Sequence, residues 1–297
     1  MKSDYDNYDL FGHLDEHITR KQFEKPSSNG FYPSEASVVL TDEHGDKKVE
    51  GGCLRASYFR LSKEFEGLPH DARTEWIFMM GKTVEGELIN YWKEMGVWKA
   101  NNVKFFDAEN NISGELDTIL VEPGTGQMYG VEVKTFYGYH AEKELMGNYK
   151  QQGFPKMSQL LQTLVYVNHW ESRGLPYFRM AYFGRDSVKR RTFKIELHHE
   201  GAIKYPKVDG VVVRSFTMND VLARFKELKQ YMDTKTIPPG DYELQYSDAK
   251  IEDYYAKGKI SKSAYESWKK GKLGKHEYVG DWNCNYCKYK NVCWGKA

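Results

Sequence analysis

The chain has 297 residues, 40% of them apolar and 15% aromatic, with 43 Lys and Arg against 42 Asp and Glu. That length and apolar content support one large domain, or a domain with a small satellite, and exclude a globally disordered chain. A formal net charge of +1 excludes whole-molecule attraction to nucleic acid, so any such site must be a local patch.

Residues 1–30 mix both charge signs and lack the apolar stretch of a secretory leader. The first fifty residues are polar, with Asn-, Ser- and Gly-rich turns and one short strand expected at 37–40. From 71 to about 95, Trp76, Ile77, Met80, Val84, Leu88 and Trp92 mark one stripe, which predicts an amphipathic helix with Glu85 at the stripe's edge. Its longest apolar run, 76–80, is far too short to span a membrane, and a cytoplasmic protein without membrane association is expected.

Strands are expected at 103–106, 114–121 and 128–136, the last two joined by a hairpin containing Pro123, Gly124 and Gly126. Pro155 suits the first turn of a helix running to about 171, closed by Gly174 and Pro176. A second hairpin, 177–183 with 192–197, turns over Lys189, Arg190 and Arg191. A helix over 218–232 ends before Pro238-Pro239-Gly240. Residues 250–275 hold eight lysines against three acidic residues, interleaved with Tyr254, Tyr255, Tyr265 and Trp268. Such a stretch can line a single-strand channel or form the solvated face of a short helical hairpin, and the second reading is favoured. The expected organisation is a polar segment (1–50), a core (51–236) and a lysine-rich C-terminal lobe (237–297), with no internal repeat.

Asp117, Glu132 and Lys134 lie in segments that otherwise read as buried strand, where an unpartnered charge is costly. Alternation puts Glu132 and Lys134 on one face, and the hairpin brings Asp117 beside them. Two carboxylates and an ammonium suit phosphodiester hydrolysis: the carboxylates hold a divalent cation and the lysine serves water or phosphate. On the residues alone, an ordinary cross-strand ion pair is an equal alternative. Gln162 and Tyr166, four apart, share one helix face, where Gln can hold Lys134 or a phosphate and Tyr can meet a base or sugar. His198 and His199 alternate across a strand and are read as structural or exposed.

Four cysteines are too few for a disulfide framework. Cys284, Cys287 and Cys293 form a tight triplet that needs a fourth soft ligand, and Cys53 is the remaining cysteine. Zinc more often uses paired cysteines or nearby histidines, so iron–sulfur is favoured over zinc and over free thiols.

The order Glu85, Gly114-x-x-Asp117, Glu132-x-Lys134, Gln162-x-x-x-Tyr166 resembles the RecB-type branch of the PD-(D/E)XK nucleases. The resemblance covers about residues 50–295. It implies an α/β core with a central mixed sheet flanked by helices. It also implies metal ligation of Mg²⁺ or Mn²⁺ by Glu85, Asp117, Glu132 and the Val133 carbonyl, with Lys134, Gln162 and Tyr166 completing the site. RecB-type members usually carry His where this chain has Glu85; a carboxylate there favours a hard cation. Members similar to the CRISPR-adaptation exonucleases and AddB-type nucleases hold a 4Fe-4S cluster with one Cys ahead of the core and three after it. The segment beginning Cys53-Leu-Arg-Ala resembles theirs, which implies ligation by Cys53, Cys284, Cys287 and Cys293. The implied activity is a DNA exonuclease acting on single strands or DNA ends, alone, as a homo-oligomer, or with a recombination or adaptation partner. The rival reading is a DNA-binding or partner-binding module of the same fold without turnover.

Overall fold

The computed structural model describes residues 9–21, 30–148, 151–272 and 279–295; the rest of the polar N-terminal segment and Lys275 of the lysine-rich stretch lie outside them. Helix α1 (Leu10–Lys21) precedes an antiparallel hairpin of β1 (Ser37–Thr41) and β2 (Lys47–Gly51). Its turn is closed by the Asp42 carboxylate, which accepts the N–H groups of His44 and Asp46. The expectation of a single short strand before residue 50 is corrected here. Strand β2 reads Lys-Lys-Val-Glu-Gly, with little apolar alternation to reveal it.

Helix α2 (Leu54–Ser62) follows Cys53, and α3 (Ala72–Glu94) starts at Asp71, whose side chain accepts the Thr74 N–H at 2.8 Å. The chain then lays down β3 (Trp98–Asp107), β4 (Ile112–Val121) and β5 (Met128–Phe136), crosses through α4 (Tyr139–Met146) and α5 (Met157–Trp170), and returns as β6 (Phe178–Gly184). Strands β7 (Arg190–Glu200), β8 (Ile203–Val208) and β9 (Val211–Val212) extend the sheet. Helix α6 (Met218–Thr234), then α7 (Asp248–Ala256), α8 (Lys262–Lys269), α9 (Trp282–Asn285) and α10 (Lys290–Trp294) complete the elements.

The seven strands pair in chain order, antiparallel throughout except for β5 with β6. A parallel pair requires a long crossover, and α4 and α5 supply it. The protein is therefore a mixed α/β fold with a seven-stranded sheet flanked by helices. Alternation along β5 sorts its residues: Val131 and Val133 join Leu120 under Leu88 and Trp92 of α3, whereas Glu132 and Lys134 turn the other way. The main core contains Leu160, Leu161 and Leu164 of α5 with Phe178 and Met180 of β6. Close approach demands glycine twice. A Cβ on Gly114 would lie 2.5 Å from the Phe105 ring, and one on Gly130 would lie 2.1 Å from Phe178.

Only part of the expected stripe on α3 is covered. Ile89 is buried, but Ile77, Phe78, Met79 and Met80 are 39–49% exposed, and Trp76 is held by Asp15 of α1 through its indole N–H at 2.7 Å. In the C-terminal lobe, Tyr255 and Tyr265 stack at 3.8 Å and pack with Tyr246 and Ile251 in a small core of their own. Lys257 and Lys259 reach Asp46 at 2.8 and 2.6 Å and tie the lobe to the β1–β2 turn. Among the described residues, no helix is long and apolar enough to cross a membrane.

A buried latch joins the lobe to the segment after Cys53. Asp241 receives Arg224 at 2.6 Å and the Leu54 N–H at 2.7 Å, while Arg224 also donates to Ser37 Oγ. Replacing Asp241 by Ala leaves Arg224 with Glu227, at 2.7 Å, as its remaining carboxylate and leaves the Leu54 N–H unpaired, and equilibrium denaturation is expected to show a loss of about 2 kcal/mol.

Candidate active site

The β4–β5 hairpin and the first half of α5 bring the acidic strand residues together. Lys134 Nζ lies 2.6 Å from Glu132 Oε1, and the pair is far from an exposed surface bridge because Glu132 is 2% exposed. Gln162 lies over both: its amide nitrogen donates to Glu132 Oε1 at 2.8 Å and its carbonyl oxygen accepts from Lys134 at 3.2 Å. The same nitrogen donates to the Tyr166 hydroxyl at 3.1 Å, which in turn donates to the Glu115 carbonyl at 3.2 Å. Asp117 Oδ2 accepts the Val133 N–H at 2.7 Å across the hairpin. The i, i+4 relation of Gln162 and Tyr166 thus orients one face of α5 onto the charged face of β5.

The field of the site is crowded with negative charge. Burial raises the Asp117 pKa well above the ordinary carboxylate range, and the Glu132 and Glu85 carboxylates push in the same direction. Burial, then Glu132, also raises Glu85, which brings that α3 residue into the same electrostatic neighbourhood. For Lys134, burial works against the charged form, but Glu132 and Asp117 outweigh it and the ammonium is held. Tyr166 is raised by burial and by Glu132, so its hydroxyl stays protonated as a donor.

Glu132 Oε2 is buried without a hydrogen-bond partner among the described residues. An orphaned carboxylate oxygen beside two crowded carboxylates fits a hard divalent cation, whose ligands are oxygens of this kind. As they lie, no three His, Cys, Asp or Glu side chains among the described residues converge closely enough to outline a metal-ion site.

Sequence reasoning did not single out Tyr182 and Gln159. Tyr182 stands opposite Lys134 in the parallel β5–β6 register and donates to Gln159 Oε1 at 2.7 Å. The signal was present in the helix, since Gln159 precedes Gln162 by three and shares its face. His198 and His199 stand apart from this cluster, paired with Glu200 at 3.2 Å and Glu171 at 3.0 Å.

Cys53, Cys284, Cys287 and Cys293 line one cavity of about 260 Å³, together with Arg55, Gly240, Tyr242, Trp282 and Trp294. Burial pushes the Cys284 thiol up to about 12, with Cys53 and Asp281 adding to the shift, and it raises Cys287 and Cys293 as well. As they lie, the four thiols share this cavity without clustering closely enough to outline a metal site; sulfur donors are the kind that a thiolate-bound metal or cluster takes.

No protein-family model matches the chain, and no curated protein sequence matches it. A solved structure described as "Crystal structure of SSO0001" aligns over 97% of this chain and 97% of that one, at 11% sequence identity and a TM-score of 0.44. That likeness is too loose to lend this chain a function.

The raised carboxyls make stability depend on pH. A native pKa above the unfolded value means the folded state holds the proton more tightly, so stability is greatest below the unfolded pKa and is lost as pH rises through the native one. Asp117→Asn keeps an acceptor for the Val133 N–H and removes this penalty. Thermal melts without divalent cation are expected to show a higher Tm than wild type at pH 7, with the difference shrinking toward pH 4.

Proposed function

We propose that the protein is a metal-dependent DNA nuclease of the PD-(D/E)XK type. The observation that carries this reading is the convergence of Asp117, Glu132, Lys134 and Gln162 in a buried constellation, where the alternative of a solvated ion pair predicts exposure. Glu85, Asp117, Glu132 and the Val133 carbonyl are the groups assigned to a Mg²⁺ or Mn²⁺ ion. When bound, the cation supplies Lewis-acid polarisation of phosphate and water. The chain supplies the rest. Lys134 carries a fixed positive charge toward the scissile phosphate, Gln162 holds that ammonium in place, and Tyr166 anchors Gln162 to the Glu115 carbonyl. The carboxylates are costly to the fold, which accords with a site built for a cation.

We also assign Cys53, Cys284, Cys287 and Cys293 to a 4Fe-4S cluster. The shared cavity supports this reading, and the separation of Cys53 from the triplet gives the cluster a structural role, closing a loop of more than two hundred residues. Anaerobically purified protein is expected to be coloured and to lose its visible absorption in Cys287→Ser; a colourless, zinc-loaded wild type sinks the assignment.

The nuclease reading is tested on end-labelled single- and double-stranded DNA with Mg²⁺ or Mn²⁺. Asp117→Ala and Lys134→Ala, each shown to be folded, are expected to lose activity by about a hundredfold or more. Wild type that binds DNA and never cuts under either metal makes the protein a binding module instead.

A further inference from the structure

Beyond Lys134 the chain leaves β5 and exposes two aromatic rings. Tyr137 is 67% exposed and Tyr139, the first residue of α4, is 70% exposed. Tyr137 lies three residues after Lys134, about 10 Å along an extended chain, so it is within one or two nucleotides of a phosphate held at the lysine. Arg185 stands beside it. Its guanidinium carbon is 5.9 Å from the Tyr137 ring centre, and its backbone N–H is fixed to the Phe136 carbonyl at 3.0 Å. Among the described residues the Arg185 Nε is buried without a hydrogen-bond partner, and the guanidinium is held against the Tyr137 ring.

The exposed turn of α3 borders the same strand end. Residues 77–80 lead into Gly81, where an added Cβ would sit 3.7 Å from Thr135 Oγ1, next to Lys134. Lys82, on the following position, bears on the Glu85 carboxylate and adds positive charge. Exposed aromatic and apolar side chains beside cationic ones match the base faces and phosphates of an unpaired strand; bases locked inside a duplex cannot lie on these rings.

We infer that the exposed rings Tyr137 and Tyr139, with Arg185 beside Tyr137, form a stacking platform for the unpaired bases next to the phosphate held at Lys134, and so select single-stranded over duplex DNA. This rests on the nuclease reading for the identity of the substrate, but its test reads binding and not cleavage. Each ring contributes about tenfold in affinity if one base stacks on it. Arg185 steadies Tyr137.

The experiment is fluorescence anisotropy with labelled oligo-dT and with a blunt duplex hairpin, using the full chain with Ca²⁺ in place of Mg²⁺. Wild type, Tyr137→Ala/Tyr139→Ala and Tyr137→Phe/Tyr139→Phe are compared, the variants being surface changes that leave the core intact. The alanine pair is expected to bind oligo-dT ten- to a hundredfold more weakly, the phenylalanine pair to match wild type, and duplex binding to be weak and equal in all three. Equal oligo-dT binding by wild type and the alanine pair, or duplex bound as tightly as oligo-dT by wild type, overturns the inference. Strand-selective binding that depends on the two rings, in a protein that never cuts, upholds the platform while removing the nuclease reading.

Discussion

Glu132 sets the terms for the centre of this molecule. It is a carboxylate on an interior strand, paired on one side with β4 and on the other with β6, and almost wholly removed from water. A charge in that position is tolerated only with partners, and its Oε1 takes two, the ammonium of Lys134 and the amide of Gln162. Lys134 can reach it because alternation returns the chain to the same face after two residues. Gln162 can reach it because the crossover required by the parallel β5–β6 pair carries α5 across that face. Topology and charge compensation are thus one arrangement: the single parallel pairing in the sheet is what lets a helix close over the acidic strand.

The compensation is incomplete, and its incompleteness is informative. One oxygen of Glu132 has no partner among the described residues, and Asp117 and Glu85 are crowded against the same negative field. A site optimised for stability would have replaced these groups by apolar ones of similar volume. On the reading proposed for this site, these residues trade stability of the isolated fold for the ligands of a cation.

Much of this was legible in the residue order. Strands β4 and β5 and the helices α3, α5 and α6 emerge from periodicity and from Pro and Gly punctuation, and the strand charges stand out against apolar neighbours. The rest was hidden for physical reasons. Strand β2 is polar because it belongs to a small hairpin, and α2 and α4 are too short for their periodicity to separate from noise. The stripe on α3 suggested burial along its whole length, but a pattern of apolar residues reports a face and not what covers it; Ile77 and Met80 stay exposed. That Cys53 lines one cavity with the distant triplet is a relation between residues with no local link in the chain.

The last segment of the structure also completes the first. Tyr289 is buried against Phe59, with ring centres 5.6 Å apart, and the Lys288 carbonyl accepts the Leu68 N–H at 2.7 Å. During synthesis, therefore, Phe59 emerges from the ribosome long before the residue that covers it. At ordinary elongation rates the interval is roughly ten to fifty seconds. For that time Phe59 has Phe65, 4.4 Å away, but lacks its cover on the Tyr289 side, and an interrupted chain would carry the whole acidic strand pair while leaving that side open.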